Sequence, residues 1–384
     1  MTNTGKSLRV LFTCSGVGVM NRGIETFFDD AFKGLSDTEG LTLRLLKGGG
    51  ATKADEHVIW NLPRTAWPAR LLGALVRRDA YVVEQWSSFP AVMRQIRSFR
   101  PEVVFYSDAN LGFLLYWLRG RIGVPYNLLF SNGGPAHAPF VRTDYVHQVT
   151  PAHCHEALLA GEPPRKHFMV PYGINLIPMP SLMTLDERAA LRQRLGLPID
   201  RKIVLSVGWI RSVHKRMDYV IAETASLPRP RPFLQLLGAV DRGSAEIIAQ
   251  GERLLGIDGF DARSVPCDRV FDYYRAADCF ILASLKEGFG RVYLEAMMHG
   301  VPVIAHRNPV TQYILGPHGN LADLSHPGAL SPLIAGELQR PATTVRIRDL
   351  WAYVRDRFSW ETLAPSYRDM FRTCARGQER HFSE

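Results

Sequence analysis

Glu287-Gly-Phe-Gly-Arg-Val-Tyr-Leu-Glu295-Ala-Met-Met-His-Gly300-Val-Pro-Val-Ile-Ala-His306 follows the apolar run Cys279-Phe-Ile-Leu-Ala283. That run reads as a buried parallel strand, closed by a loop at Ser284. Gly288 and Gly290 bracket Phe289, and helical periodicity starts at once, with Val292, Leu294, Ala296 and Met297 as its apolar surface. Gly300 is placed to end the helix, Pro302 forbids continuation, and Val301 to Ala305 reads as the next strand. Strand, glycine loop and helix N-terminus together offer backbone N–H groups and a positive dipole end to an anion. Glu287 stands just before that end and Glu295 one to two turns inside it. The plainer reading has the glycines turning the chain beside solvated glutamates. Two carboxylates framing a glycine-rich helix start weigh against it.

Glu287 and Glu295, seven residues between them and Gly-Phe-Gly after the first, resemble the donor-sugar motif of the retaining GT-B glycosyltransferases of the GT4 family. The resemblance implies two Rossmann-like doubly wound α/β domains facing each other across a cleft, with a C-terminal helix crossing back to the first. It implies Glu287 on the hydroxyls of a donor sugar and Glu295 on the ribose of the nucleotide. Gly288, Phe289, Gly290 and Arg291, with Ser284 before them, would then lie along the donor. The residue types suit the task, since a carboxylate accepts from two vicinal hydroxyls while N–H groups receive a diphosphate.

With 384 residues and 46% hydrophobic content, the chain is long enough for two cores. No apolar run is long enough to cross a bilayer, and the polar Met1 to Leu8 is no signal peptide. Five scattered cysteines without a Cys-x-x-Cys pair point to a reducing cytoplasm, and away from a metal site or disulfide framework. A formal net charge of +9, mostly from arginine, suits nucleotide diphosphates, acidic lipid surfaces or nucleic acid. Base composition of the genome explains an arginine bias equally well.

Strand and helix alternate along the chain, which implies a doubly wound parallel sheet. Arg9 to Cys14 is the first strand, Ser15 to Gly23 a glycine-spaced loop, and Ile24 to Leu35 an amphipathic helix. The spacing from Gly16-x-Gly18 to Gly23 is too long for a dinucleotide fingerprint. Arg22-Gly23-Ile24-Glu25 instead resembles the family's helix start near the donor phosphates, with Arg22 where a first glycine is usual. Next come Ala80 to Glu84 as a strand, a helix from Ser88 to Phe99, and strands at Pro101 to Tyr106 and Tyr126 to Phe130. Ligands of open α/β sheets sit beyond the carboxyl ends of strands, so Asp108 and Asn132 stand where contacts are made. Asp108 is either an acceptor-hydroxyl contact or a turn-forming aspartate. Asn132-Gly133 replaces a His-Gly frequent in the family. His137 either swings in toward an acceptor or is a solvated loop histidine. His167 to Asn175 ends the first half, and Pro178 and Pro180 mark a linker, giving domains 1–178 and 179–357.

The second half repeats the plan: a helix over Leu185 to Leu195, a strand over Lys202 to Gly208, then the loop Trp209 to Arg216. Lys215, opening a helix to about Ser226, resembles the family's phosphate-binding lysine. Trp209 stands where an arginine is usual, so Arg211 or Arg216 would supply the second cation. Pre-placed cations stabilise the charge that builds on a departing diphosphate. Further elements are a strand at Pro232 to Gly238, helices from Ser244 and from Pro327, and a closing segment 358–384. Val265 is the residue the resemblance assigns to the nucleobase.

No Asp-x-Asp pair, His-rich cluster, Gly-x-Ser-x-Gly or P-loop occurs, so metal independence is expected and hydrolase or NTPase readings are excluded. No like-charge run suits a nucleic-acid arm. The reading implied is a retaining hexosyltransferase using a UDP- or GDP-sugar, with no cofactor beyond that substrate. It would act in the cytoplasm on an unassigned acceptor, and its arginines permit peripheral contact with an anionic membrane. A non-catalytic nucleotide-sugar binder and an epimerase or phosphorylase of the same fold are the alternatives.

Overall fold

The computed structural model describes residues 7–20, 22–134 and 136–377. Most of the polar N-terminus, Asn21, Pro135 and the last residues of the 358–384 segment lie outside the described residues. The chain divides into two compact units, residues 1–175 with 358–384, and residues 176–357. The division falls ahead of the expected residue 178, and Trp351 shows why: its Nε1–H donates to the Ile177 carbonyl at 2.8 Å, tying the linker to the second unit.

Unit 1 contains strands β1 (Leu8–Cys14), β2 (Leu41–Lys47), β3 (Glu56–Val58), β4 (Val103–Tyr106), β5 (Asn127–Asn132), β6 (Tyr145–Gln148) and β7 (His167–Met169). Its helices are α1 (Gly23–Leu35), α2 (Trp67–Leu75), α3 (Ala80–Phe99), α4 (Ala109–Trp117), α5 (Arg119–Ile122) and α6 (Pro151–Leu159). The strands are parallel and ordered β3-β2-β1-β4-β5-β6-β7, so the order reverses between β1 and β4. Ala80 to Glu84, read from the sequence as a strand, is instead the first turn of α3. Asp79 caps it by accepting from Tyr81 N–H at 2.7 Å, and tertiary burial of Glu84, Gln85 and Ser88 overrides the β-branched pair Val82-Val83.

Unit 2 contains β8 (Ile203–Val207), β9 (Phe233–Leu237), β10 (Phe260–Arg263), β11 (Cys279–Leu282), β12 (Val303–His306) and β13 (Gly319–Ala322). Its helices are α7 (Leu185–Leu195), α8 (Met217–Ala225), α9 (Ala245–Leu255), α10 (Cys267–Ala276), α11 (Arg291–Met298), α12 (Pro309–Leu315), α13 (Ser331–Leu338) and α14 (Thr344–Phe358). The strands are again parallel, ordered β10-β9-β8-β11-β12-β13, with the reversal between β8 and β11. The helix expected from Pro327 starts at Ser331. Gly328 has φ +82°, and the buried Glu223 carboxylate accepts from the N–H groups of Gly328, Leu330 and Ser331, holding the preceding residues as a turn.

The last helix, α15 (Trp360–Arg376), belongs to unit 1. Phe371 packs edge-on against Phe12 and Phe105, with ring centroids 5.9 and 5.5 Å apart, and Tyr367 is wholly buried. Trp360 fits only because Gly34 and Gly173 carry no side chain: a Cβ would lie 2.2 and 2.6 Å from the indole.

Candidate functional site

In an open parallel sheet, ligand loops gather where the strand order reverses. In unit 2 those loops follow β8 and β11, and they carry Lys215 and Glu287. The Lys215 ammonium donates to Glu287 Oε1 at 2.6 Å, joining residues 72 positions apart. Both side chains are half-buried, 25% and 12% exposed. The stem of Lys215 runs over Gly208, where a Cβ would lie 3.3 Å from it. The flanking residues His214 and Arg216 both hold positive φ, at 66° and 50°. Left-handed backbone at a non-glycine costs on the order of 1–3 kcal/mol per residue and persists where neighbours enforce it. Here Arg216 donates to the Leu324 carbonyl at 2.5 Å and lies 4.1 Å over the Tyr219 ring. Arg216 therefore anchors the loop. Arg211 lies 3.9 Å over the Trp209 ring and pairs with Asp241. Trp209 thus holds a neighbouring arginine in place.

The β11 loop is built around Gly290, the N-cap of α11, at φ +80°. A Cβ there would also collide with the Tyr293 ring at 2.5 Å. No side chain caps α11, so its N-terminus stays available to an anion. Phe289 is buried and pins the loop, Arg291 is buried in the first turn, and Gly288 is half-buried. Two buried hydroxyls, Ser284 Oγ at the start of the loop and Tyr293 Oη, have no hydrogen-bond partner among the described residues. Glu295 accepts from Tyr274 Oη at 3.0 Å. Burial, then the Glu295 charge, pushes the Tyr274 hydroxyl well above its usual range, so it remains a donor. Val265 sits half-buried between β10 and α10.

His299 closes the same helix. Its Nδ1–H donates to the Glu295 carbonyl at 2.7 Å, and its ring stacks on Tyr274 at 5.4 Å. Burial lowers its pKa to about 4. An unfolded histidine titrates near 6.5, so between those values the unfolded chain binds more protons and stability rises with pH. The stabilisation is full above pH 6.5 and is lost as pH falls toward 4. Unit 2 is expected to lose about 2 kcal/mol between pH 7 and 5 from this group, read as a fall in melting temperature. A His299→Phe variant, keeping the stack, should show a shallower fall; an equally steep one would refute the assignment.

In unit 1 the expected site residues are less available. Asp108 is fully buried, accepting from Ser15 N–H at 2.6 Å and Tyr81 Oη at 2.8 Å. Burial raises its pKa despite those bonds. Its carboxylate fixes the β1 loop. Asn132 is buried too, donating to Gln148 Oε1 and the Ala136 carbonyl while accepting from Ala136 N–H. It closes its own loop. Arg22 pairs with Glu25 at 2.8 Å across the start of α1, beside Gly23. His137 is exposed, 3.8 Å from Glu156. Sequence reasoning missed Glu84, which accepts from Ser15 Oγ at 2.9 Å and from three groups of Arg64. Its position inside a misread strand concealed it. Among the described residues no group of three or more His, Cys, Asp or Glu side chains is gathered to hold a metal.

Residues 187–335 match the family model of glycosyl transferases group 1. The chain resembles the group 1 glycosyltransferases. It is 31% identical over 235 residues to the D-inositol 3-phosphate glycosyltransferase of Streptomyces bingchenggensis, an overlap of 57% of this chain and 50% of that protein. The chain thus spans about half the length of that curated relative. The fold is GT-B: Anabaena Alr3699/HepE in complex with UDP and glucose superposes with TM-score 0.72 at 18% identity, over 95% of this chain and 100% of that one. Sucrose-phosphate synthase from Thermosynechococcus elongatus gives 0.73 at 19% identity, over 95% and 98%. The matched segment contains Lys215, Glu287 and Glu295.

Proposed function

We propose that the protein transfers a hexosyl group from a nucleotide diphosphate sugar to an acceptor hydroxyl, retaining anomeric configuration and using no metal. The observation that carries the reading is the Lys215–Glu287 pair at the strand-order reversal of unit 2. In the free protein each group neutralises the other. When a donor enters, the Lys215 ammonium turns to the diphosphate, beside the uncapped N-terminus of α11, and Glu287 is released to accept from sugar hydroxyls. Arg211 adds a second cation, and Glu295, oriented by Tyr274, takes the ribose hydroxyls. The bond from the anomeric carbon to the phosphate oxygen breaks as the acceptor oxygen attacks from the same face, and the departing phosphate oxygen takes the acceptor proton. The Anabaena neighbour bound to UDP and glucose supports a UDP-hexose as donor. Scattered, unpaired cysteines suit a cytoplasmic setting.

Incubation of the protein with UDP-, GDP- and ADP-sugars and no acceptor tests this. Slow nucleotide release from one donor is expected, unchanged by EDTA and lost in Glu287→Gln. Inversion at sugar C2 would assign an epimerase instead, saturable binding without turnover a binder, and inhibition by EDTA would remove the metal-free part.

A further inference from the structure

The unit 2 strands enclose a second cavity at the ends opposite the donor loops. Lys202 immediately precedes β8, Asp278 precedes β11 and Pro302 precedes β12. With Arg188 of α7, Glu337 of α13 and Arg346 of α14 they line a space of about 70 Å³. A buried water needs about 10–15 Å³, so a tetrahedral anion fits. Arg340, Thr343 and Arg346 are shared with an adjoining surface groove, lined also by His318, Pro341 and Leu350. None of these residues belongs to the donor site, since Lys215 and Glu287 follow the far ends of β8 and β11.

The charge of the cavity is unbalanced. The Asp278 carboxylate meets Arg188 at 2.9 Å, Arg192 at 2.7 Å and Lys202 at 3.2 Å, and accepts from Ile203 N–H at 2.8 Å. Glu337 is shared by Arg346 at 2.5 Å and Arg340 at 3.6 Å. Five cations thus face two carboxylates, and Asp349 on the groove is paired with Arg348. Burial, then the charge of Arg188, lowers the Arg192 pKa, as crowded like charges do. Two polar atoms of the lining are also left over. Arg188 Nε–H is buried without an acceptor, and Glu337 Oε1, on a side chain 1% exposed, makes no hydrogen bond even with Arg346 beside it. Buried charges in a network that only ties helices to strands are paired; here the cations are in surplus.

We propose that this cavity binds a phosphate-class dianion, either inorganic phosphate or the phosphoryl group of a small hydroxylated ester, at the end of unit 2 away from the donor. A dianion offsets most of the surplus charge, and arginine forks match its oxygens. Arg188 Nε–H gains an acceptor in a phosphate oxygen, while a P–OH or an ester hydroxyl donates to Glu337 Oε1. The carbon part of an ester would lie in the groove beside His318 and Leu350. The site uses residues that the transfer reaction does not, so it stands or falls separately from that reaction.

Titration calorimetry of the full chain with inorganic phosphate and with glycerol 3-phosphate, at an ionic strength held constant with chloride, tests this. Saturable one-to-one binding is expected, equally in the parent, in Lys215→Ala and in the presence of saturating UDP. Tighter binding of glycerol 3-phosphate assigns the ester, and equal or weaker binding the free anion. K202Q/R340Q should weaken binding about tenfold or more. Both altered side chains are more than half exposed, and each carboxylate keeps a cation, so the variant should keep the parent's circular dichroism. R188Q, which removes the orphaned donor, should weaken binding as well. Failure of the parent to bind either probe, or binding unchanged in K202Q/R340Q, overturns the proposal and leaves an ion-pair network only. Binding displaced by UDP or lost in Lys215→Ala overturns it too, because the anion would then occupy the donor site.

Discussion

Lys215→Ala is expected to lower kcat/KM for donor turnover by about 10²–10³-fold, most of it in kcat. The ammonium is held 2.6 Å from Glu287 by a loop with two left-handed residues and a glycine beneath its stem, an arrangement that keeps the cation placed before any ligand arrives. A pre-placed cation requires little reorganisation when charge develops on a leaving diphosphate, so its loss falls on the transition state more than on binding. The competing account is a half-exposed ion pair worth about 0–1 kcal/mol to folding and nothing to chemistry. The two accounts separate in a double-mutant cycle with Glu287→Gln. If both residues act in one event, the double variant loses far less than the product of the single losses. If Lys215→Ala shifts the melting temperature slightly and leaves kcat intact, the catalytic reading of the pair is finished.

Much of this was legible in unit 2 and less in unit 1, for physical reasons. Runs such as Ile203–Val207 and Cys279–Leu282 are buried on both faces, so they read as continuous apolar segments, and the residues after them fall at the ligand end of the sheet. The resemblance to the GT4 family singled out Lys215 and Glu287 in those loops without any knowledge of their contact. Gly290 was legible because only glycine tolerates its φ of +80° at no steric cost. The strand reading of Ala80–Glu84 failed because local β propensity competes with a cap at Asp79 and with buried polar partners contributed by distant residues. Asp108 and Asn132 show the limit of position as a guide. Both stand at the ends of strands, and both are consumed by hydrogen bonds to their own unit. A sequence shows where a polar side chain is, but not whether a backbone N–H from another loop has already taken it.

The second large effect concerns a glycine that carries no chemistry. Gly238 follows β9, and a Cβ there would lie 1.7 Å from the Gly208 carbonyl oxygen and 2.6 Å from its carbon. The obstacle is backbone, held by Gly208 N–H donating to Leu237 at 2.8 Å and Ile210 N–H to Ala239 at 3.2 Å, so no side chain can rotate away. Gly238→Ala must push the β8 loop outward, and is expected to destabilise unit 2 by about 3 kcal/mol, the upper part of the range for overpacking. For a unit of this size each kcal/mol lowers the melting temperature by about 2–4 °C. Because Gly208 also supports the Lys215 stem, a displacement near 1 Å would misplace the ammonium and lower turnover by roughly 10²-fold even in the folded fraction. Gly336→Ala supplies the control with opposite sign. Gly336 lies exposed inside α13 with nothing within 4 Å of its Cβ position, so alanine there should stabilise by about 0.5–1 kcal/mol. Melting curves of the two variants, taken with donor turnover at a temperature where both are folded, separate loss of fold from loss of placement. A Gly238→Ala protein that melts with the parent and turns over donor at its rate would show that the β8 and β9 loops can part without disturbing Lys215, and the pre-placement argued for that lysine would fail with it.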